Sequence, residues 1–137
     1  MYLVELDNHL LMSSLHILTP IYSTRGDLEA FLSFPYIYNR VGEWIGWITK
    51  DRLVYSVHGL YVGYYSKDGR ILRKQSDAFS QERRKPPVAP RGRITIPAHV
   101  PLAPLMAELA FGVIDVLFEQ PDLLPPMDFG EGREDMG

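Results

Sequence analysis

The sequence predicts a mainly β fold, with short antiparallel β-hairpin repeats around a pseudo-symmetric axis and one C-terminal amphipathic α-helix. Three observations carry that expectation. The first is a repeated pattern, Tyr22-x3-Gly26-x3-Ala30-Phe31, Tyr38-x3-Gly42-x3-Gly46-Trp47 and Tyr55-x3-Gly59-x3-Gly63-Tyr64, at spacings of 16 and 17 residues. A period this short is one strand-turn-strand unit, which cannot bury its own apolar face and must pack against its neighbours. The second is a rhythm of turn signals at Gly42, Asp51-Arg52, Gly59 and Asp68-Gly69 between short runs rich in Tyr, Trp, Ile and Val, as in an antiparallel meander. The third is a change of period after Pro104, from two to helical.

Taken in chain order, residues 2–18 fit either a strand or a short helix. Tyr2, Val4 and Leu6 alternate, while Leu10, Leu11, Leu15 and Leu18 sit at helical spacing. The repeats follow near 22–31, 38–48, 55–65 and 65–74, the fourth being read as Tyr65-x3-Gly69-x-Ile71-Leu72 with Arg73 in place of the second small residue. Gly46 and Gly63 fall inside strands, where glycine weakens a sheet unless two backbones must approach closely. With Ala30 at the same place in the first unit, they point to strands converging on an axis. Asp68-Gly69 has the composition of a two-residue type I′ hairpin.

Residues 1–74 are thus read as the β-repeat domain and 75–104 as a basic, proline-rich connector with prolines at 86, 87, 90, 97, 101 and 104. Such a segment is extended and partly polyproline II, and Arg84 to Pro90 matches a basic-flanked PxxP ligand. Residues 105–120 form the expected amphipathic helix. Leu105, Met106, Leu109, Val113, Ile114 and Leu117 recur at i, i+3, i+4 and make a candidate interface, on the domain itself or on another subunit, before Pro121 stops the helix. Residues 121–137 are an acidic tail.

Composition bounds the function. A chain of 137 residues, 46% hydrophobic, supports one core. It has no cysteine, which excludes disulfides, cysteine-ligated zinc and a thiol nucleophile and fits a cytoplasmic location. The N-terminal stretch carries Glu5 and Asp7 where a signal peptide is basic, and no apolar run is long enough to span a membrane. Charge is segregated. Residues 1–69 hold 5 basic and 7 acidic groups, 70–93 hold 8 and 2, and 94–137 hold 1 and 8, giving −2, +6 and −7. The basic stretch reads either as a solvated connector or as a nucleic-acid contact through Arg73, Lys74, Arg83, Arg84 and Lys85.

The wording from Tyr38 to Ile48, and again from Val54 to Tyr64, resembles bacterial proteins with a four-fold β-flower domain. In that family Tyr-x3-Gly-x2-Val-Gly-aromatic hairpin units are thought to pack around a pseudo-four-fold axis. The resemblance covers about Tyr22 to Lys74, departs at Glu29, Ala30 and Arg73, and carries over no catalytic residue.

Chemistry is sparse. His9, His16, His58 and His99 share no metal-ligand spacing, and no serine has a nucleophile-elbow context, so neither a metal, a cofactor nor an enzymatic activity is expected. The strongest binding candidates are aromatic: Trp44 and Tyr61 are equivalent in adjacent units, as are Trp47 and Tyr64. Packing of both pairs in the core is the simpler reading; exposure of one would allow stacking on a sugar or a base. The leading functional expectation is a non-enzymatic scaffold or protein-interaction module that associates with a protein partner or itself. Small-ligand or carbohydrate binding through those aromatics, and nucleic-acid binding through residues 70–93, are the alternatives.

Overall fold

The computed structural model describes residues 18–77 and 82–127. The two readings of residues 2–18 fall, apart from Leu18, outside the described residues, as do His9, His16 and the end of the acidic tail. Eight strands form one sheet in strict sequence order, every neighbouring pair antiparallel. They are β1 (Thr19–Tyr22), β2 (Leu28–Ser33), β3 (Tyr36–Asn39), β4 (Trp44–Ile48), β5 (Leu53–Ser56), β6 (Tyr61–Tyr65), β7 (Ile71–Lys74) and β8 (Val113–Asp115). A single turn of α-helix, α1 (Val116–Glu119), follows β8 directly.

Five of the hairpins close with the same device, which the sequence writes as Ser/Thr/Asn-x-x-Gly. Ser23, Asn39, Thr49, Ser56 and Ser66 each take the amide of the residue three ahead onto their carbonyl, and their own amides donate to the carbonyl four ahead. Their side-chain oxygens accept amides within the same turn, as Asn39 Oδ1 does from Val41 and Glu43 at 3.0 and 2.9 Å. Short polar side chains are favoured at such corners because they satisfy backbone donors that the ladder leaves free. The fourth turn position requires positive φ, and is glycine in four of the five; Arg52, at φ 69, takes it in the turn from Thr49 to Leu53.

The register repeats with the turns. In the β1–β2, β3–β4 and β5–β6 hairpins a bulge follows the residue before the tyrosine, at Ile21/Tyr22, Ile37/Tyr38 and Val54/Tyr55, and Ile21 pairs with Ala30, Ile37 with Gly46 and Val54 with Gly63. A bulge sharpens strand twist, and three in succession curl the sheet into a half-barrel. Ile21, Ile37, Val54 and Ile71 are all fully buried in one aliphatic core with Ala30, Val62, Val116, Leu117 and Leu124. Each such side chain is worth about 1.5–3 kcal/mol when fully buried. The opposite face carries an aromatic layer of Tyr38, Trp44, Trp47 and Tyr55 with Val57.

The small residues stand where strands crowd. A Cβ on Gly46 would come within 2.6 Å of the Tyr55 carbonyl oxygen, and one on Gly63 within 2.2 Å of that of Leu72. These two contacts make Tyr55 and Leu72 equivalent, so the fourth unit begins at Ile71-Leu72 and its return strand is β8. The reading from Tyr65 is corrected accordingly: Ser66 to Arg70 is the β6–β7 turn, whose polar-x-x-Gly chemistry is the same as that of the repeat turns.

The helix expected over 105–120 is also corrected, since only Val116–Glu119 is helical. Upstream, the Ala107 amide and carbonyl are bonded to Asp68 and Arg70, and the Gly112 carbonyl accepts the Gln75 amide. Those tertiary partners replace the i to i−4 bonds of a helix, and Gly112 at φ 82 ends any continuous helical path. Pro121 does follow the helix, as its sequence position requires.

Candidate functional site

The connector is a belt. It leaves β7, runs back along the β5–β6, β3–β4 and β1–β2 turns and enters β8. The Arg84 amide donates to Gly59 O and the Ile94 amide to Gly42 O, each at 3.0 Å. The carbonyl oxygens of the same two belt residues sit where side chains on those glycines would be, and would lie 2.2 and 2.3 Å from a Cβ there. Farther along, Ala103 faces Gly26 at ordinary contact distance and Tyr22 Oη donates to Pro101 O at 2.6 Å. The belt therefore meets Gly59, Gly42 and Gly26 in reverse sequence order, at intervals set by the width of one hairpin unit.

Beneath the belt lies the aromatic layer. Trp47 stacks on Tyr55 at 4.8 Å between centroids, and Tyr61 and Tyr36 meet Tyr55 and Trp44 edge-on at 5.8 and 5.9 Å. Both indoles are satisfied, Trp44 Nε1 donating to Gly46 O and Trp47 Nε1 to Ser56 O. The Arg84 guanidinium lies 5.5 Å from the Tyr55 ring, and Ile94 and Met127 pack against the layer. Burial raises the pKa of Tyr61, and its neighbours Asp77, Tyr55 and Tyr64 add to that against the opposing charge of Arg73.

Polar groups close the curled sheet. The Tyr22 amide donates to Gly69 O at 2.8 Å, and the Thr24 amide and hydroxyl both donate to Asp115 Oδ2 at 2.6 and 2.7 Å. Buried Arg70 links the two ends, donating to Thr24 Oγ1 at 3.0 Å and pairing with Asp68 at 2.6 Å. Burial opposes ionisation of Asp68. Hydrogen bonds from Arg70, Ser66 and the Ala107 amide, with the charge of Arg70, outweigh it and lower its pKa to about 2.

Two open clefts flank the belt. One, of about 530 Å³, lies between the β2–β3 turn and belt residues 90–95. The other, of about 650 Å³, is a shallow groove between Tyr64, Lys67, Arg70 and Leu72 on one side and Leu105 to Val113 on the other. Among the described residues no cluster of three or more His, Asp or Glu is arranged to hold a metal ion, and no helix is long and apolar enough to cross a membrane.

The residues singled out from sequence divide sharply. Trp44 and Trp47 are 1% and 8% exposed and belong to the packed layer, while Tyr61 and Tyr64 are half-buried. In neither pair, Trp44 with Tyr61 or Trp47 with Tyr64, is the tryptophan exposed for stacking. Arg73 is 5% exposed and donates to Gln120 Oε1, which takes it out of the basic surface; Lys74, Arg83, Arg84 and Lys85 are exposed. The PxxP segment is docked on its own domain through Arg84 and through Tyr36 Oη, which donates to Val88 O at 2.5 Å. Of the six interface candidates, Ile114 and Leu117 are buried, Met106, Leu109 and Val113 are half-buried, and Leu105 is exposed. Of the residues that surround the first cleft, Tyr38 opens the second repeat motif, whereas Phe34, Tyr36 and Arg91 belong to none; the Phe34-Pro35 turn signal between two aromatic strands is the feature that marks their corner.

No curated protein and no solved structure matches the chain. A family model described as 4-fold beta flower protein matches residues 19–110, which is more than half of the sequence and extends from β1 through most of the belt. With three matching hairpins and a fourth unit completed across the belt, the chain belongs to the 4-fold beta flower family.

Proposed function

We propose that this chain is a non-enzymatic interaction module whose contact surface is the last part of the belt and whose first partner is a second copy of itself. The observation that carries the reading is the display of Leu102, Leu105 and Phe111, which are 94%, 98% and 105% exposed. Their backbone is not loose. It is pinned at Pro101 by Tyr22, at Ala107 by Asp68 and Arg70, and at Gly112 by Gln75. Large apolar side chains held out on an anchored segment lose little conformational freedom when they are covered, which favours association. The shallow groove beside them, with Leu72, Leu109 and Val113 in its lining, offers apolar surface for such side chains from a partner.

Size-exclusion chromatography with light scattering tests this on the full chain and on the combined variant Leu102→Ser, Leu105→Ser, Phe111→Ser. A dimer that becomes a monomer with an unchanged far-UV spectrum and melting temperature is the expected result. A wild-type monomer at all accessible concentrations would sink the reading.

A further inference from the structure

We propose that the cleft between the β2–β3 corner and the belt is a binding site for a small planar aromatic carboxylate. The cleft, about 530 Å³, is within the size range of small-molecule sites. Its construction is specific. The belt is fastened on one side by the Tyr36 hydroxyl on Val88 O and on the other by the Ile94 amide on Gly42 O. Residues 89–93 arch between those two anchors, with Gly92 at φ 54 turning the chain.

Aromatic rings supply the apolar walls. Phe34, 62% exposed at the corner, faces the cleft with Tyr36 and Tyr38, and Ile94 closes the belt side. A flat ring fits such walls by stacking or edge contact.

The polar lining is biased towards donors. Arg91 is the one charged residue that lines the cleft; its exposed guanidinium is in no hydrogen bond or ion pair among the described residues. The Tyr38 side chain is largely buried, but its hydroxyl, which has no hydrogen-bond partner among the described residues, is not one of the fully buried polar atoms and reaches the cleft surface. Its ring is committed to the aromatic layer, which leaves the hydroxyl as the part available to the cleft. A phenolic hydroxyl on a cleft wall with no protein partner has its donor free for a ligand atom. Burial, helped by the neighbouring Tyr36, raises the Tyr38 pKa, so the group keeps its proton at neutral pH and donates. A cationic fork and a neutral O–H donor, with no acidic side chain in the lining, select an anion over a cation. The aromatic walls select a flat one over a bare inorganic ion.

The test is calorimetric titration of the full chain with 2-naphthoate and with its neutral analogue 2-naphthamide, alongside Arg91→Gln and Tyr38→Phe. Saturable naphthoate binding is expected, weaker by about 10-fold or more in Arg91→Gln and by roughly 5-fold in Tyr38→Phe, as for loss of a charged and a neutral hydrogen bond. The naphthamide should bind like naphthoate to the arginine variant, or more weakly. Arg91 is exposed and bonded to nothing in the fold, so its replacement leaves folding intact and keeps the test decisive even if Tyr38→Phe is destabilised. Absence of saturation at millimolar naphthoate, equal affinity for the amide, or an unchanged affinity in Arg91→Gln would each overturn the proposal.

Discussion

The hairpin array and the belt occupy the same small molecule but are held by different means. Within the array each strand is specified by its own neighbours: a polar-x-x-Gly turn, a bulge after the aliphatic residue, and alternation that sends Ile37 to one face and Tyr38 to the other. The belt has no ladder. Between residues 82 and 112 its backbone is tied at a few points, chiefly Arg84, Val88, Ile94, Pro101 and Ala107, and each tie is to a turn or a side chain of the array. The array is therefore a structure that the belt reads. Damage to the array should remove both, whereas damage to a tie should release the belt and leave the sheet standing.

The sharpest way to break this asymmetry is Gly63→Val. A Cβ there lies 2.2 Å from the Leu72 carbonyl oxygen and 3.2 Å from the Arg73 Cβ, so β6 and β7 must part. Overpacking against backbone of this kind costs about 3 kcal/mol or more. The expected outcome is a melting temperature lower by roughly 10 °C or more, with near- and far-UV signals lost together. A variant with wild-type stability would refute convergence of the strands on an axis.

A pair of milder substitutions separates the belt from the turn beneath it. Gly26 and Gly59 have nearly the same backbone, φ 86 and φ 84, but the nearest neighbour of a new Cβ is Ala103 Cβ at 3.9 Å in the first case and Arg84 O at 2.2 Å in the second. Gly26→Ala should therefore cost only the left-handed strain, about 1–2 kcal/mol. Gly59→Ala should add the loss of the belt tie, for a total of roughly 2–3 kcal/mol with the lost hydrogen bond included. Hydrogen exchange at the Arg84 amide should accelerate strongly in Gly59→Ala and stay near wild type in Gly26→Ala. Equal destabilisation and equal exchange in the two variants would mean that the belt does not depend on its glycine seats.

The same contrast explains what was legible in the sequence. The units at Tyr22, Tyr38 and Tyr55 could be read because everything that forms them lies within one short window. The fourth unit is hard to place because Ser66-x-x-Gly69 carries the turn chemistry of a unit, although it joins two of them, and because β8, the return strand of β7, comes only after the belt. The stripe from Leu105 to Leu117 has helical spacing, but its backbone partners are Asp68, Arg70 and Gln75, which no local pattern announces. The burial of Trp44 and Trp47 follows from the belt and Met127 covering a face that alternation alone leaves open. The cleft at Tyr38 is hidden for the same reason: one wall is strand and the other is belt.

The smallest effect concerns the point where the belt passes the seam of the sheet. Asp68 accepts from Arg70 and from the belt's Ala107 amide, and its pKa lies at about 2, below the 3.8 of an unperturbed group. A depressed carboxylate pKa stabilises the fold where the unfolded chain's Asp is ionised, fully above about pH 4, and that contribution is lost as pH falls through the folded value near 2. Because Asp68 is partly solvated, the contribution is roughly 1–2 kcal/mol rather than the full value of the shift. Asp68→Asn should thus melt several degrees below wild type at neutral pH, and the difference should shrink between pH 4 and pH 2. Arg70 is only 2% exposed and would be left without its anion, so a neutral-pH loss larger than this would show that the seam depends on the buried guanidinium more than on the belt. Hydrogen exchange at the Ala107 amide distinguishes the two, since it should rise in Asp68→Asn if the carboxylate fastens the belt and stay slow if it serves Arg70 alone.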